Sequence, residues 1–253
     1  MGADKPSLKS RQDISLMREA GRIVAETLAL IAEQTRPGVS TAELDRLAYE
    51  HIRARGAAPS FKGYNGFPAS ICASVNDEIV HGIPGPRVLQ EGDLFSADCG
   101  AFYRGFHADA AITIGVGHID PALQQMIDHG WEALTEGIKR ARPGNRVDDI
   151  GAAIQQALLS HGYGVVGDGL AGHGVGRRLH ESPTVNNYGV WGHGPRLLPG
   201  MTLAIEPMFT QRSAKWNMLE DGWTVVTRDR SLAVHVEHTV AITEGEPEVL
   251  TQL

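Results

Sequence analysis

One stretch of this chain is written twice. RPGVSTAELDRLAYEHIRARG, from Arg36, and RPGNRVDDIGAAIQQALLSHG, from Arg142, align without a gap. Gly38 falls on Gly144, Glu43 on Asp149, Leu44 on Ile150 and Gly56 on Gly162. Each copy spaces its apolar residues like a helix and ends on glycine, the residue that most readily closes a helix in the left-handed conformation. A further helical stretch precedes each copy, SLMREAGRIVAETLALIAEQ before the first and ALQQMIDHGWEALTEGIKRA before the second. Two related units in one chain are expected to pack as a pair, which removes most alternative folds.

Strand-like segments follow each copy in the same order. LQEGDLFSAD (89–98) pairs with LLPGMTLAIE (197–206), so Asp98 falls on Glu206; HADAAITI (107–114) pairs with HVEHTVAI (235–242), so Asp109 falls on Glu237. The expected class is α+β, a duplicated helix–helix–strand–strand unit over roughly 10–120 and 121–250 of one catalytic domain, 1–253, with a short N-terminal tail. The strands of both halves are expected to join in one curved antiparallel sheet with the helices on one face. The pseudo-twofold relation would then gather the four acidic positions near its centre.

Four neighbouring carboxylates cannot all ionise without compensation. Divalent cations supply it. With His173, which stands in the glycine-rich stretch AGHGVGRRLHESP (171–183), the set Asp98, Asp109, Glu206 and Glu237 is rich in oxygen and holds one imidazole. That composition suits two ions such as Mn, Fe, Co or Zn better than a structural zinc site. Two such ions about 3.5–4 Å apart can share and activate a water, which points to hydrolysis. Plainer readings exist for single residues: an Asp near a hairpin caps a turn, and His235 and His238 read as exposed strand residues. Glu206 resists the plain reading, because a carboxylate ending the apolar run TLAI is costly unless paired.

Composition narrows the setting. A formal charge of −7 argues against direct nucleic-acid binding, which relies on clustered Lys and Arg. No segment approaches the roughly 18 apolar residues of a membrane span, and MGADKPSLKSRQD lacks the apolar centre of a secretory signal. With Cys72 and Cys99 as the only cysteines, a reducing cytoplasm is the expected location.

The segments NDEIVHGIP (76–84), DCGAFYRGFHADAA (98–111), GHGVGRRLHESPTVNNY (172–188), IEPM (205–208) and VEHT (236–239) together resemble the type I methionine aminopeptidases of peptidase family M24, in the short bacterial form. The resemblance runs from about residue 9 to the C-terminus. It implies the pita-bread fold and metal-dependent removal of the initiator methionine from nascent chains with a small second residue, by way of a water bridging two divalent ions (Co, Mn, Fe or Zn). It makes Asp98, Asp109, His173, Glu206 and Glu237 the metal ligands, with Asp109 and Glu237 bridging. Glu206 would also manage the proton of the bridging water. His81 would contact the substrate near its amine and assist proton transfer, and His180 would bond the scissile amide. Tyr64, Phe67, Cys72 and Trp223 would line the methionine pocket. A monomer that associates transiently with the ribosome is the expected state.

The sequence departs from the family's usual pattern at Leu170, where Met, Phe or Tyr often stands, at Leu179, where an aromatic often lines the substrate pocket, and at Cys99, where Val is common. None of these is a ligand position. Two rivals remain: a peptidase of the same fold acting on X-Pro bonds, which usually carries a separate N-terminal domain, and a binding protein that has lost the chemistry. The second conflicts with a full set of ligand positions.

Overall fold

A computed structural model describes residues 6–167 and 169–253. Its helices begin where the sequence supplies caps. Helix α1 (Arg11–Gln34) starts with a reciprocal box, the Ser10 side chain accepting the Asp13 N–H while the Asp13 carboxylate accepts that of Ser10. Helix α2 (Thr41–Ala54) repeats this with Ser40 and Glu43. In the second half, α3 (Pro121–Arg140) is capped by Asp120 and has proline in its first turn, and α4 (Val147–Ser160) follows. The matched pair Glu43 and Asp149 does the same work in both copies. Glu43 accepts the Ser40 N–H at 2.9 Å and Asp149 accepts the Arg146 N–H at 2.7 Å. The matched glycines Gly56 and Gly162 close their helices with φ of 74° and 81°.

In the first half, strand β1 (Ile71–Val75) pairs antiparallel with β2 (Leu94–Tyr103), which turns back into β3 (Phe106–Gly115). The two turn residues, Arg104 and Gly105, both have positive φ, the backbone that matches hairpin twist. The second half supplies β4 (Gly172–Gly174), β5 (Glu181–Val185) and β6 (Thr202–Ile205), then β7 (Met208–Thr210), β8 (Ala233–His235) and β9 (His238–Ala241). β6 lies between β4 and β9, and β7 pairs with β8.

The helices of each half cover their own strands. Ile23, Leu28, Leu44 and Ile52 pack on Ile71, Phe95 and Cys99; Leu134, Ile150 and Ile154 pack on Leu203, Phe209 and Val240. Cys99 is therefore a fully buried core residue. Its neighbour Asp98 faces the other side of β2, as strand alternation requires. That other side is buried too, because both halves face each other across it.

The curved sheet expected from the sequence is present, but it is not one continuous ladder. Among the described residues the strands fall into four hydrogen-bonded sheets. The expected strand 235–242 is interrupted at Val236 and Glu237, between β8 and β9. Glu237 turns away from its own ladder and gives its N–H to the Ala111 carbonyl of the first half, at 2.9 Å. No helix among the described residues is long and apolar enough to cross a membrane.

Candidate metal centre and substrate cavity

The break at the seam between the halves is where the acidic residues meet. Asp98 and Asp109 come from β2 and β3, Glu206 follows β6, Glu237 sits between β8 and β9, and His173 is the middle residue of β4. His173 Nε2 lies 3.6 Å from both Asp109 Oδ2 and Glu206 Oε1. Asp109, His173 and Glu237 each offer a ligand atom within 4.8 Å of the other two.

His173 reaches this point because its neighbours have no side chain. A Cβ on Gly172 would stand 2.3 Å from the Ala204 carbonyl oxygen, and one on Gly174 would stand 2.4 Å from that of Ser182. The His173 ring is oriented by a contact of 2.9 Å between Nδ1 and the Gly174 carbonyl, which puts the proton on Nδ1 and leaves Nε2 as a lone-pair donor.

The four carboxyl groups are buried and crowded. Burial, with Asp109 and Glu206 nearby, pushes Asp98 up to about 8. Burial, with Asp109, pushes Glu206 up to about 7. Asp109 is raised mainly by burial, and Glu237 is raised well above the usual range by burial and the other three carboxylates. Asp98 Oδ1 and Glu237 Oε1 find no hydrogen-bond partner in the protein. Buried carboxylate oxygens without donors, around one imidazole nitrogen, make a donor set that fits divalent cations.

All eleven site residues expected from the sequence line one cavity of about 500 Å³. Tyr64, Phe67, Cys72 and Trp223 form an apolar end beside the acidic one. Phe67 and Trp223 meet edge to face at 5.1 Å. Trp223 stands in a turn after Gly222 (φ 75°), where Asp221 accepts its N–H at 2.8 Å. His81 faces Trp223 edge-on at 6.2 Å and is held at φ 61°, a conformation that is uncommon outside glycine. His180 stands edge-on to His173 at 4.2 Å, with its Nδ1 2.7 Å from the Tyr64 hydroxyl. Burial holds His81 at about 4, aided by His235; burial holds His180 at about 3, aided by His173 and His81. Both rings are neutral near pH 7.

Leu170 and Leu179, departures from the family pattern, both line the cavity, but sequence reasoning missed Phe61, which shares the apolar end with Leu179, and Met208. His235 is not an exposed strand residue: it is 1% exposed, behind the carboxylates, with Nε2 3.5 Å from Glu206 Oε2. The repeat aligned His235 with His107, so a paired role could be suspected. The pair diverges, however, since His107 bonds Ser60 at 2.9 Å and lies tilted against Phe102.

The family model described as metallopeptidase family M24 matches residues 15–244. A methionine aminopeptidase of Clostridium perfringens is 50% identical over 96% of this chain and 98% of its own length. Methionine aminopeptidase 1 of Bacillus subtilis is 48% identical over 97% and 98%. The crystal structure of the methionine aminopeptidase of Thermotoga maritima superposes with a TM-score of 0.96 at 41% identity, covering 98% of this chain and all of that one. The prolidase of Pyrococcus furiosus shares the fold at a TM-score of 0.80 and 23% identity, but this chain covers only 65% of it. Matched over nearly its whole length by both family and relatives, this chain belongs to metallopeptidase family M24 and, within it, to the methionine aminopeptidases.

Proposed function

We propose that this chain removes the N-terminal methionine from nascent proteins and peptides whose second residue is small, acting in the cytoplasm with two divalent ions held by Asp98, Asp109, His173, Glu206 and Glu237. The observation that carries this reading is the cavity itself, in which an apolar end of Tyr64, Phe67, Cys72 and Trp223 abuts an acidic end with partnerless carboxylate oxygens. An unbranched thioether suits such an aromatic slot. Ions bound there supply a water of lowered pKa and polarise the scissile carbonyl.

The chain's own groups handle the rest. Glu206 borders both the ligand set and the cavity, where a carboxylate can take a proton from the attacking water and return it to the leaving amine. His180, a neutral imidazole whose Nδ1 lies 2.7 Å from the Tyr64 hydroxyl, bonds the scissile amide through Nε2 when that hydroxyl is the donor to Nδ1. His81, also neutral, accepts a hydrogen bond from the substrate amine side of the cavity.

The test is release of free methionine from Met-Gly-Met-Met and from a Met-Pro peptide by metal-stripped protein, with Mn, Fe, Co or Zn added back. Metal-dependent release from the first peptide is the expected result. Cleavage confined to the Met-Pro peptide would move the chain to the proline peptidases, and binding without cleavage of either would make it a binding protein.

A further inference from the structure

A second group of metal-ligating side chains stands on the helical side of the second half, and none of its members lines the cavity. His129 and Glu132 lie one turn apart on α3, and His161 follows the last residue of α4. One ligand atom of each lies within 4.8 Å of the other two.

Two details of geometry distinguish this group from a chance surface cluster. The His129 Nδ1 is 3.0 Å from the Tyr163 hydroxyl, which orients the ring and leaves Nε2 as its remaining ligand atom, the arrangement that steadies imidazole ligands. His161 Nε2 faces Glu132 Oε2 at 3.4 Å. That is long for an N–H···O bond, which favours 2.7–3.2 Å. It brings the two groups close enough to share one ion with metal–ligand bonds of roughly 2.0–2.1 Å once the ring turns.

The two imidazoles are stacked, 3.6 Å between centroids with planes 12° apart. Parallel rings present their nitrogens side by side, so coordination requires one ring to turn. His161, with a third of its side chain in solvent (32%), is placed to do so at the helix end. Two imidazoles and one carboxylate favour borderline ions over the hard oxygen-seeking Mg²⁺ and Ca²⁺.

We propose that His129, Glu132 and His161 form a second divalent transition-metal site, of the zinc class, separate from the hydrolytic centre and tying the middle of α3 to the end of α4. Water completes the fourth position. The proposal does not depend on the catalytic reading, because it concerns residues outside that cavity.

The test counts metal directly. The full chain is dialysed to equilibrium against buffered Zn²⁺ and the bound ion is measured by mass spectrometry, in wild type and in E132Q, H161A and, as a control, H193A. Zinc at the acidic cavity is common to all four proteins and cancels in the comparison. The expected result is one fewer Zn²⁺ per chain in E132Q and H161A at saturation, with H193A matching wild type. Thermal midpoints in chelator check that the variants fold, and if H161A does not, E132Q carries the comparison, since its side chain is over half exposed (56%). Equal zinc in wild type and E132Q would overturn the site. So would an equal loss in H193A, which would reduce the binding to ordinary surface imidazoles.

Discussion

Thr239 Oγ1 serves both backbone groups of Asp109, accepting its N–H at 3.0 Å and donating to its carbonyl at 2.8 Å. Thr113 does the same for His235, accepting its N–H at 3.0 Å and donating to its carbonyl at 2.7 Å. At these two points the halves are joined by threonine side chains instead of by a backbone ladder. The hydroxyls hold the strands one side chain apart, which leaves space between them for the carboxylates while satisfying buried backbone groups.

Replacing Thr239 by Val keeps the shape and removes the hydroxyl. The Asp109 N–H and carbonyl are then buried without partners, at about 1–3 kcal/mol for each unsatisfied group. T239V is expected to lower the thermal midpoint by several degrees and to weaken metal binding in titration, whereas T239S retains most of both. A T239V protein with unchanged stability would show that the seam does not depend on this hydroxyl.

The crowded carboxyls make stripped protein sensitive to pH. Asp98 holds its proton up to about 8 and Glu206 to about 7 in the folded chain, against the ordinary 3.8 and 4.5. Above about pH 6.5, where the buried neutral His81 and His180 no longer offset it, the native state therefore binds more protons than the unfolded one, and stability falls as pH rises toward 8. Urea unfolding in chelator is expected to give a higher midpoint at pH 6.5 than at pH 8. Added Mn²⁺ should reverse the order, because it binds the ionised carboxylates that burial otherwise penalises. A metal-free protein that gains stability from pH 6.5 to pH 8 would contradict the crowding.

The repeat made the duplicated fold and the acidic cluster readable, because capping, helix closure and strand alternation are local rules that Glu43, Asp149, Gly56 and Gly162 obey in both copies. It did not reveal His235, whose burial is set by the break at Glu237 rather than by anything near it in the chain. Phe61 was likewise hidden: it lies in no periodic pattern, and only the folding of its loop against Leu179 brings it to the cavity. The segment around Lys9 gave no signal either, since its partner lies 172 residues away.

His180 and Tyr64 separate chemistry from metal binding. H180A is expected to reduce kcat by about 10²–10³-fold, the usual cost of losing one donor to a developing oxyanion, with metal content unchanged. Y64F, which removes only the hydroxyl beside Nδ1, should reduce it less and leave KM nearly intact. Loss of metal in H180A would reassign this histidine to the ligand set.

Phe61 and Leu179 meet at the apolar end, so the aromatic wall absent at Leu179 is supplied in part by Phe61. F61A is expected to lower kcat/KM for methionyl peptides by about 10–200-fold, the range associated with lost apolar contact in a specificity pocket. Release assays should show the change mainly in KM. An unchanged KM would place Phe61 in packing alone.

Lys9 and Glu181 form an ion pair almost wholly out of water, with 3% and 5% of their side chains exposed. Burial lowers the Lys9 pKa while the Glu181 bond opposes it, and the Glu181 carboxylate also accepts the Arg178 N–H at 3.0 Å. The pair thus anchors the segment before α1 to the turn that carries His180. Removing one partner leaves a buried charge alone, which costs about 3–5 kcal/mol, whereas replacing both by apolar residues is close to neutral. K9M is therefore expected to lower stability sharply in urea unfolding, and the double variant K9M/E181L to recover much of it. Activity should not return with stability in the double variant, because the Arg178 N–H loses its acceptor and the His180 turn loses its anchor. Full recovery of both would show that the ion pair serves stability without holding His180 in place.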